Sequence, residues 1–169
     1  GPDGRPLTFE ILAQNLEQQK IAIAYQRNLA ALGIAITVRT VEDAQYQERT
    51  QRFDFDMVMR TYASSLSPGL EQTRSWGSSS RDNQGSENMA GVADVDIDRM
   101  IGHIVTAKLP SDFEAAVRAH DRLLINGHYV IPLYHIGEQW IARWKYIGHP
   151  DYVPLYGAQL PVWWDERVQ

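Results

Sequence analysis

The chain has 169 residues, a length that suits one domain with a sizeable buried core. Sixteen basic and 21 acidic residues give a net charge of −5, so the basic surplus that nucleic-acid binding requires is missing. The chain has no cysteine, which excludes disulfides and zinc–thiolate sites, and no apolar run approaches the roughly 18 residues of a membrane span. We therefore expect no nucleic-acid partner and no membrane-spanning segment.

The first sixty residues alternate between strand and helix patterns. Apolar and polar residues alternate with a period of two in three segments, which predicts strands at 7–11, 34–38 and 53–60. Apolar residues at helical spacing and suitable end signals predict helices over 21–32, before Gly33, and over 44–51, after Asp43. This order predicts parallel strands joined by right-handed crossovers.

Residues 62–92 form a serine-rich segment with eight serines and four glycines. The segment follows the third predicted strand, so it leaves from the carboxyl edge of the sheet, where open α/β sheets bind ligands. A segment of this length is either functional or disordered. Leu66, Leu70, Trp76 and Met89 favour a folded loop, with a helical turn at 70–76.

Two amphipathic helices and a hairpin are predicted after the loop. Asp94 caps the first helix, and the second begins near Ser111 and stops at Gly127. The runs Tyr129–His135 and Gln139–Trp144 then predict an antiparallel hairpin, with its first strand at an edge or a bulge.

The last part of the chain is rich in proline and tryptophan. Four of the five tryptophans fall in the last thirty residues, and prolines break any regular element there. We predict that residues 1–145 form an α/β domain and that residues 146–169 form a tail lying across a surface that belongs to something else.

Few residues carry the pattern of a catalytic or metal site. Asp54 and Asp56 share a strand face and could act as an acid/base pair, although two solvated charges are the simpler interpretation. Ser64, Ser65 and Ser67 lack a nearby base, and the five histidines lack the spacing of metal ligands. We expect no metal and no cofactor. A small hydrolase or transferase that uses Asp54, Asp56 or a loop serine is kept as an alternative.

The loop itself offers the groups of a binding surface. Tyr62 lies at its root, Trp76 in its middle and Asn88 near its end, which supplies aromatic faces, hydroxyls and an amide for a polar ligand. Trp76 could equally serve only to anchor the loop to the core.

Several short motifs occur in a characteristic order. They are Phe53-Asp54-Phe55-Asp56-Met57, Ser67-Pro68-Gly69, Ser75-Trp76-Gly77-Ser78, Gly85-Ser86-Glu87-Asn88-Met89-Ala90-Gly91, Ala119-His120-Asp121-Arg122-Leu123-Leu124 and Trp163-Trp164. With these motifs the chain resembles the bacterial extracellular solute-binding proteins of family 5, the peptide/nickel class that serves ABC importers. Within that class it is most similar to the microcin C and muropeptide-type branch, and the resemblance covers nearly the whole chain.

The resemblance implies a fold and a place in a longer protein. The fold class is α/β: a periplasmic-binding-protein type II-like lobe with a mixed sheet, parallel βαβ units and a C-terminal antiparallel hairpin. The chain would be a C-terminal lobe fragment of a periplasmic protein, exported by a signal peptide that the fragment lacks. Residues 146–169 would return to the missing N-terminal lobe.

The resemblance also implies a non-enzymatic function. The protein would capture peptides or peptide-like solutes by closure of two lobes, and ABC permease subunits would be its partners for uptake. The scattered histidines give the nickel-binding branch no support.

One departure from the family concerns the ligand. Peptide binders of this class usually hold the free amine of the peptide with an aspartate shortly after the third strand, whereas the stretch from Tyr62 to Leu66 has no acid. A modified peptide, a glycopeptide, a sugar or an opine is therefore as credible as a free peptide.

Position along the chain selects the residues expected to line the cleft. These residues are Arg60, Tyr62, Ser64, Ser65, Trp76 and Asn88. The alternative for Arg60 is an internal ion pair with Asp54 and Asp56, which share its strand face.

Overall fold

The computed structural model describes residues 4, 7–62 and 66–168. The chain divides into two compact units, Gly1–Val130 and Ile131–Gln169. Among the described residues, no helix is both long enough and apolar enough to cross a membrane.

The first unit contains a parallel sheet and helices. Its described strands are β1 (Thr8–Ala13), β2 (Ala35–Thr40) and β3 (Met57–Val58). Its described helices are α1 (Leu16–Ala30), α2 (Asp43–Gln51), α3 (Glu71–Trp76), α4 (Val95–Thr106) and α5 (Pro110–Asn126). The three strands pair in the order β2–β1–β3, and both pairings are parallel. This arrangement confirms the predicted parallel βαβ units.

The alternation of apolar residues along the strands builds the core below α1. Ile11 lies beside Val38 on one neighbouring strand and beside Met57 on the other, so all three side chains share one face. Helix α1 covers this face with Ala22, and the buried cluster of Ile11, Ala22 and Ile36 forms its centre. The Asn15 side chain caps α1 by accepting a hydrogen bond from the Gln18 N–H at 3.0 Å.

The third strand is much shorter than predicted. Phe53 has a φ of 56°, and the Asp54 N–H donates to the Arg49 carbonyl at 2.9 Å, so these residues end α2 rather than extend a strand. The Asp56 carboxylate accepts a hydrogen bond from the Glu10 backbone N–H at 2.8 Å. Local hydrogen bonding therefore overrides the period-two pattern over 53–56.

The serine-rich segment is folded wherever the structure describes it. Helix α3 occupies the predicted helical turn, and a 3₁₀ turn follows over Ser78–Ser80. Val92 then joins Ile97 and Ile101 of α4 in a second buried cluster, against which Trp76 packs. The loop is thus tied to a core of its own.

The two predicted helices are present as α4 and α5. The Asp94 carboxylate caps α4 by accepting hydrogen bonds from the N–H groups of Asp96 (2.8 Å) and Ile97 (3.4 Å), as predicted. Helix α5 begins at Pro110 rather than after Ser111. Proline suits the first position of a helix because its missing N–H would have no intrahelical partner there.

The second unit differs from the predicted hairpin in position. The segments Tyr129–His135 and Gln139–Trp144 contain no strand, and every residue from 131 to 145 is exposed. The antiparallel pair lies later, between β4 (Ile147–Gly148) and β5 (Trp164–Asp165). The Trp164 ring covers Gly148 so closely that a Cβ atom at Gly148 would overlap the indole. The α/β class with a C-terminal antiparallel pair is confirmed, whereas the segments assigned to that pair were wrong.

Candidate functional site

The candidate site begins where β3 leaves the sheet. Since the strands are parallel, Ala13, Thr40 and Val58 end at the same edge. The chain then passes through Arg60 and Tyr62, both of which are exposed. In sheets of this kind the carboxyl edge is the usual place for a ligand.

An aromatic pair connects this edge to the loop. The rings of Tyr62 and Trp76 stack with centroids 5.1 Å apart and planes inclined by 18°. Trp76 ends α3 and packs against the cluster of Val92, Ile97 and Ile101, while Tyr62 remains 38% exposed. Trp76 therefore anchors the loop, and it also supports the ring of a second candidate residue.

Arg60 makes no ion pair with any residue that the structure describes. The carboxylates proposed as its internal partners are engaged elsewhere, Asp54 by Arg49 at 2.9 Å and Asp56 by the Glu10 N–H at 2.8 Å. Partial burial raises the pKa of the Tyr62 phenol, and the positive charge of Arg60 acts on that pKa in the opposite direction. The charge of Arg60 thus lies close enough to the aromatic pair to act on the Tyr62 phenol.

Asn88 is part of the loop's interior. Its side chain is 0% exposed, and its amide N–H groups donate to the carbonyls of Gly77 (3.0 Å) and Val92 (2.9 Å). Its side-chain oxygen accepts from the Val92 N–H at 2.8 Å. This corrects the expectation that Asn88 faces a ligand, because all of these bonds go to backbone and none of the side chain reaches the surface.

The structure describes six of the eight loop serines, and three of these, Ser75, Ser80 and Ser86, donate hydroxyl hydrogen bonds within the loop. Ser64 and Ser65 lie outside the described residues. Ser80 donates its hydroxyl to the Gly77 carbonyl at 2.7 Å, and Ser86 donates to the Ser80 carbonyl at 2.7 Å. Ser75 lies 3.4 Å from a carboxylate oxygen of Glu87. The hydroxyls of these three serines hold the fold of the loop.

A network of charges that the sequence did not predict lies on the other face of the sheet. Glu10 pairs with Arg39 at 2.6 Å and with Arg49 at 3.0 Å, and Arg49 also reaches Asp54. The hydrogen bond from Arg39 lowers the pKa of Glu10. The available signal was the strand register, since Arg39 lies beside Leu12 and therefore on the same face as Glu10.

These charges line an open groove of ≈ 430 Å³, to which Asp54 contributes and none of the residues expected to line the cleft does. Among the described residues, the groove included, no group of three or more His, Asp or Glu side chains is arranged to hold a metal ion.

Known sequences match this chain along most of its length. The family model "Bacterial extracellular solute-binding proteins, family 5 Middle" matches residues 1–84. The peptidoglycan-binding protein YepA of Agrobacterium fabrum is 58% identical over 167 residues, which are 99% of this chain and 27% of that protein. The probable peptide-binding protein YejA of the same organism is 38% identical over 98% of this chain and 27% of its own length. The chain thus spans about a quarter of the length of these relatives.

Solved structures share the fold. NikZ from Campylobacter jejuni, in complex with Ni(L-His), superposes with a TM-score of 0.66 at 18% sequence identity. The superposition covers 75% of this chain and 26% of that protein. At this level of identity the likeness shows the fold alone, which is that of the type II periplasmic binding proteins.

Proposed function

Because this chain belongs to the bacterial extracellular solute-binding proteins of family 5, we propose that it supplies one wall of a ligand cleft in a longer binding protein. The carboxyl edge of the parallel sheet is that wall, and Arg60, Tyr62 and Trp76 are its described contact residues. The observation that carries this proposal is the Tyr62–Trp76 pair, which is stacked at the sheet edge. The charge of Arg60, which pairs with no described residue, acts on the same Tyr62 phenol.

The proposed ligand is a peptide-like solute derived from peptidoglycan, in which amino sugars carry a short peptide. Two features support this class. A relative with 58% identity is named as a peptidoglycan-binding protein. The chain also has no acid between Tyr62 and Leu66 to hold a free amine, so a ligand whose amino terminus is modified fits better than a free peptide.

Capture proceeds by closure of two lobes, of which this chain forms most of one. The ligand bridges the two walls, and the closed state is favoured because the ligand contacts both. The closed protein then delivers the solute to ABC permease subunits. Export to the periplasm agrees with the extracellular family to which the chain belongs.

Residues 146–169 return to the other lobe in this proposal. Several large apolar side chains of this tail are strongly exposed, and they would be covered by the rest of the protein. They include Tyr152, Val153, Leu155, Tyr156 and Leu160, with exposures between 65% and 90%. Residues 1–145 then form the ligand-binding lobe.

The alternative of a hydrolase or transferase has little support in the contacts. Asp54 is paired with Arg49, and Asp56 holds the backbone of Glu10, so neither carboxylate is poised beside a nucleophile. The described loop serines Ser80 and Ser86 donate to backbone carbonyls.

Calorimetry on the full-length protein tests the proposal. A disaccharide–tripeptide fragment of peptidoglycan should bind with one site per protein, and Arg60→Ala should weaken binding, whereas Arg27→Ala on the exposed surface of α1 should not. Small-angle scattering should show a more compact protein when the ligand is present. Failure of peptidoglycan fragments and of free peptides alike to bind would contradict the proposed function.

A further inference from the structure

Tyr62 combines partial exposure with a ring that is held in place: the residue is 38% exposed, and its ring stacks on that of Trp76. Its stacking partner Trp76 is fixed by the buried cluster of Val92, Ile97 and Ile101, so the pair cannot rotate freely. The planes are nearly parallel, which leaves one face of the Tyr62 ring covered by the indole. The exposed 38% of Tyr62 therefore lies at a preorganised position on the carboxyl edge of the sheet.

The groups around this ring are polar. The Tyr62 phenol can donate and accept hydrogen bonds. Arg60 bears no ion pair within the described chain, and its charge influences the phenols of both Tyr46 and Tyr62. The Tyr46 hydroxyl donates to the Met59 carbonyl at 2.9 Å, whereas the phenol of Tyr62 and the guanidinium of Arg60 bond to no side chain or backbone group in the described part of the chain. These two groups can therefore serve a ligand.

An aromatic face with hydrogen-bonding groups at its rim matches a particular kind of ligand surface. The face of a pyranose ring presents C–H groups, which are attracted by the negative face of an aromatic ring. Its edge carries hydroxyl and amide groups, which hydrogen-bond to a phenol and a guanidinium. A purely apolar side chain would use the ring but leave these polar groups without partners.

We propose that Tyr62, supported by Trp76, is a sugar-stacking subsite that receives a pyranose ring of the ligand, while Arg60 bonds the polar edge of that ring. This inference rests on the proposed function and deepens it, because it assigns the sugar part of a peptidoglycan fragment to this wall. The peptide part is bound elsewhere in the cleft.

The test compares two probes on the full-length protein by calorimetry. One probe is a disaccharide–tripeptide fragment of peptidoglycan, and the other is the same tripeptide without sugar. Tyr62→Ala should weaken binding of the disaccharide form about tenfold and leave binding of the sugar-free tripeptide within about twofold. Tyr62→Phe keeps the ring and should bind both probes nearly as the unchanged protein does.

Leu32→Ala is the matched control. Leu32 is 73% exposed and precedes β2, so it lies at the amino end of the strands, opposite the subsite, and its replacement should change neither affinity. Equal weakening of both probes by Tyr62→Ala, or no weakening of either, would overturn the subsite. Binding of the sugar-free tripeptide alone by the unchanged protein would also overturn it, yet leave the proposed function standing. If neither probe nor any free peptide binds, the proposed function fails as well.

Discussion

Asn88 stabilises the serine-rich loop by satisfying buried backbone groups that have no regular secondary structure to pair them. Its amide bridges Gly77 to Val92, which brings the end of α3 against the start of the segment leading to α4. Asn88→Ala would leave two carbonyls and one N–H without these partners. We expect the free energy of unfolding to fall by about 2–3 kcal/mol. Urea denaturation of the full-length protein measures the change.

Asn83→Ala serves as the control for this prediction. Asn83 belongs to the same loop, but it is exposed and makes one side-chain bond, to the Ser79 carbonyl. Its replacement should cost no more than about 0.5 kcal/mol. If both variants lower the free energy of unfolding by the same small amount, the buried amide of Asn88 does not stabilise the loop. Ligand affinity of the folded fraction of Asn88→Ala should stay unchanged, which separates a structural role from contact with the ligand.

His120 makes the stability of the first unit depend on pH. The ring is 5% exposed, and no described residue bonds to its buried Nε2 atom. Burial lowers the pKa of His120 below 6.5, against an opposite effect of Asp121. The unfolded chain therefore binds the proton more readily. The contribution of the neutral ring to stability is complete above about pH 6.5 and is lost as the pH falls from there through the folded-state pKa.

Denaturation of His120→Gln between pH 7.5 and pH 5 tests this dependence. Stability of the unchanged protein should fall on acidification, and the variant should lose part of that slope. His103→Gln replaces an exposed histidine of α4 and serves as the control for the substitution itself. An unchanged slope in His120→Gln would contradict the assignment.

At the scale of elements, side-chain packing and not backbone conformation requires the glycine that follows α5. Gly127 has a φ of −74°, which any residue can adopt, but a Cβ atom there would overlap the half-buried ring of Tyr129. Tyr129 packs against the cluster around Val92, so the ring cannot move without disturbing the core. Gly127→Ala should therefore lower the free energy of unfolding by about 1–3 kcal/mol, as measured by urea denaturation.

Gly102→Ala gives the opposite expectation for the same chemical change. Gly102 lies within α4, and a Cβ atom there would meet nothing within 4 Å. Since alanine stabilises a helix interior more than glycine does, this variant should be more stable by about 0.5–1 kcal/mol. Equal effects of the two substitutions would show that Tyr129 does not restrict Gly127.

The sequence predicted those elements whose stabilising partners are close in the chain. Local spacing predicts the two βαβ units, the helix cap at Asp94 and helix α3. The third strand is shorter than predicted because Phe53 and Asp54 end α2 and do not continue a strand. The runs over 129–144 have strand periodicity, but a strand also needs a neighbouring strand, and periodicity alone does not supply one.

In the candidate site, too, the sequence predicts the positions of some residues but not the contacts that their side chains make. Arg60 and Tyr62 follow β3 and so lie at the carboxyl edge of the sheet, while their place in a ligand cleft stays a prediction. Composition could not show that the amide of Asn88 bonds to backbone rather than to a ligand, since the same donors and acceptors serve both purposes. The stacking of Tyr62 on Trp76 depends on the path of the loop between them, which no periodic pattern encodes.

At the scale of the whole molecule, the exposed apolar side chains of the second unit make a further prediction. Trp140 is 88% exposed and Leu155 is 90% exposed, whereas the chain spans about a quarter of the length of its relatives. The rest of the protein is expected to cover them. In the full-length protein, Trp140→Ser and Leu155→Ser should each lower the free energy of unfolding by about 2–4 kcal/mol. In the 169-residue chain the same substitutions should change it by less than about 0.5 kcal/mol, because an exposed side chain has little contact to lose. Equal, small effects in both contexts would mean that these side chains remain in water in the complete protein and that the second unit docks through other residues.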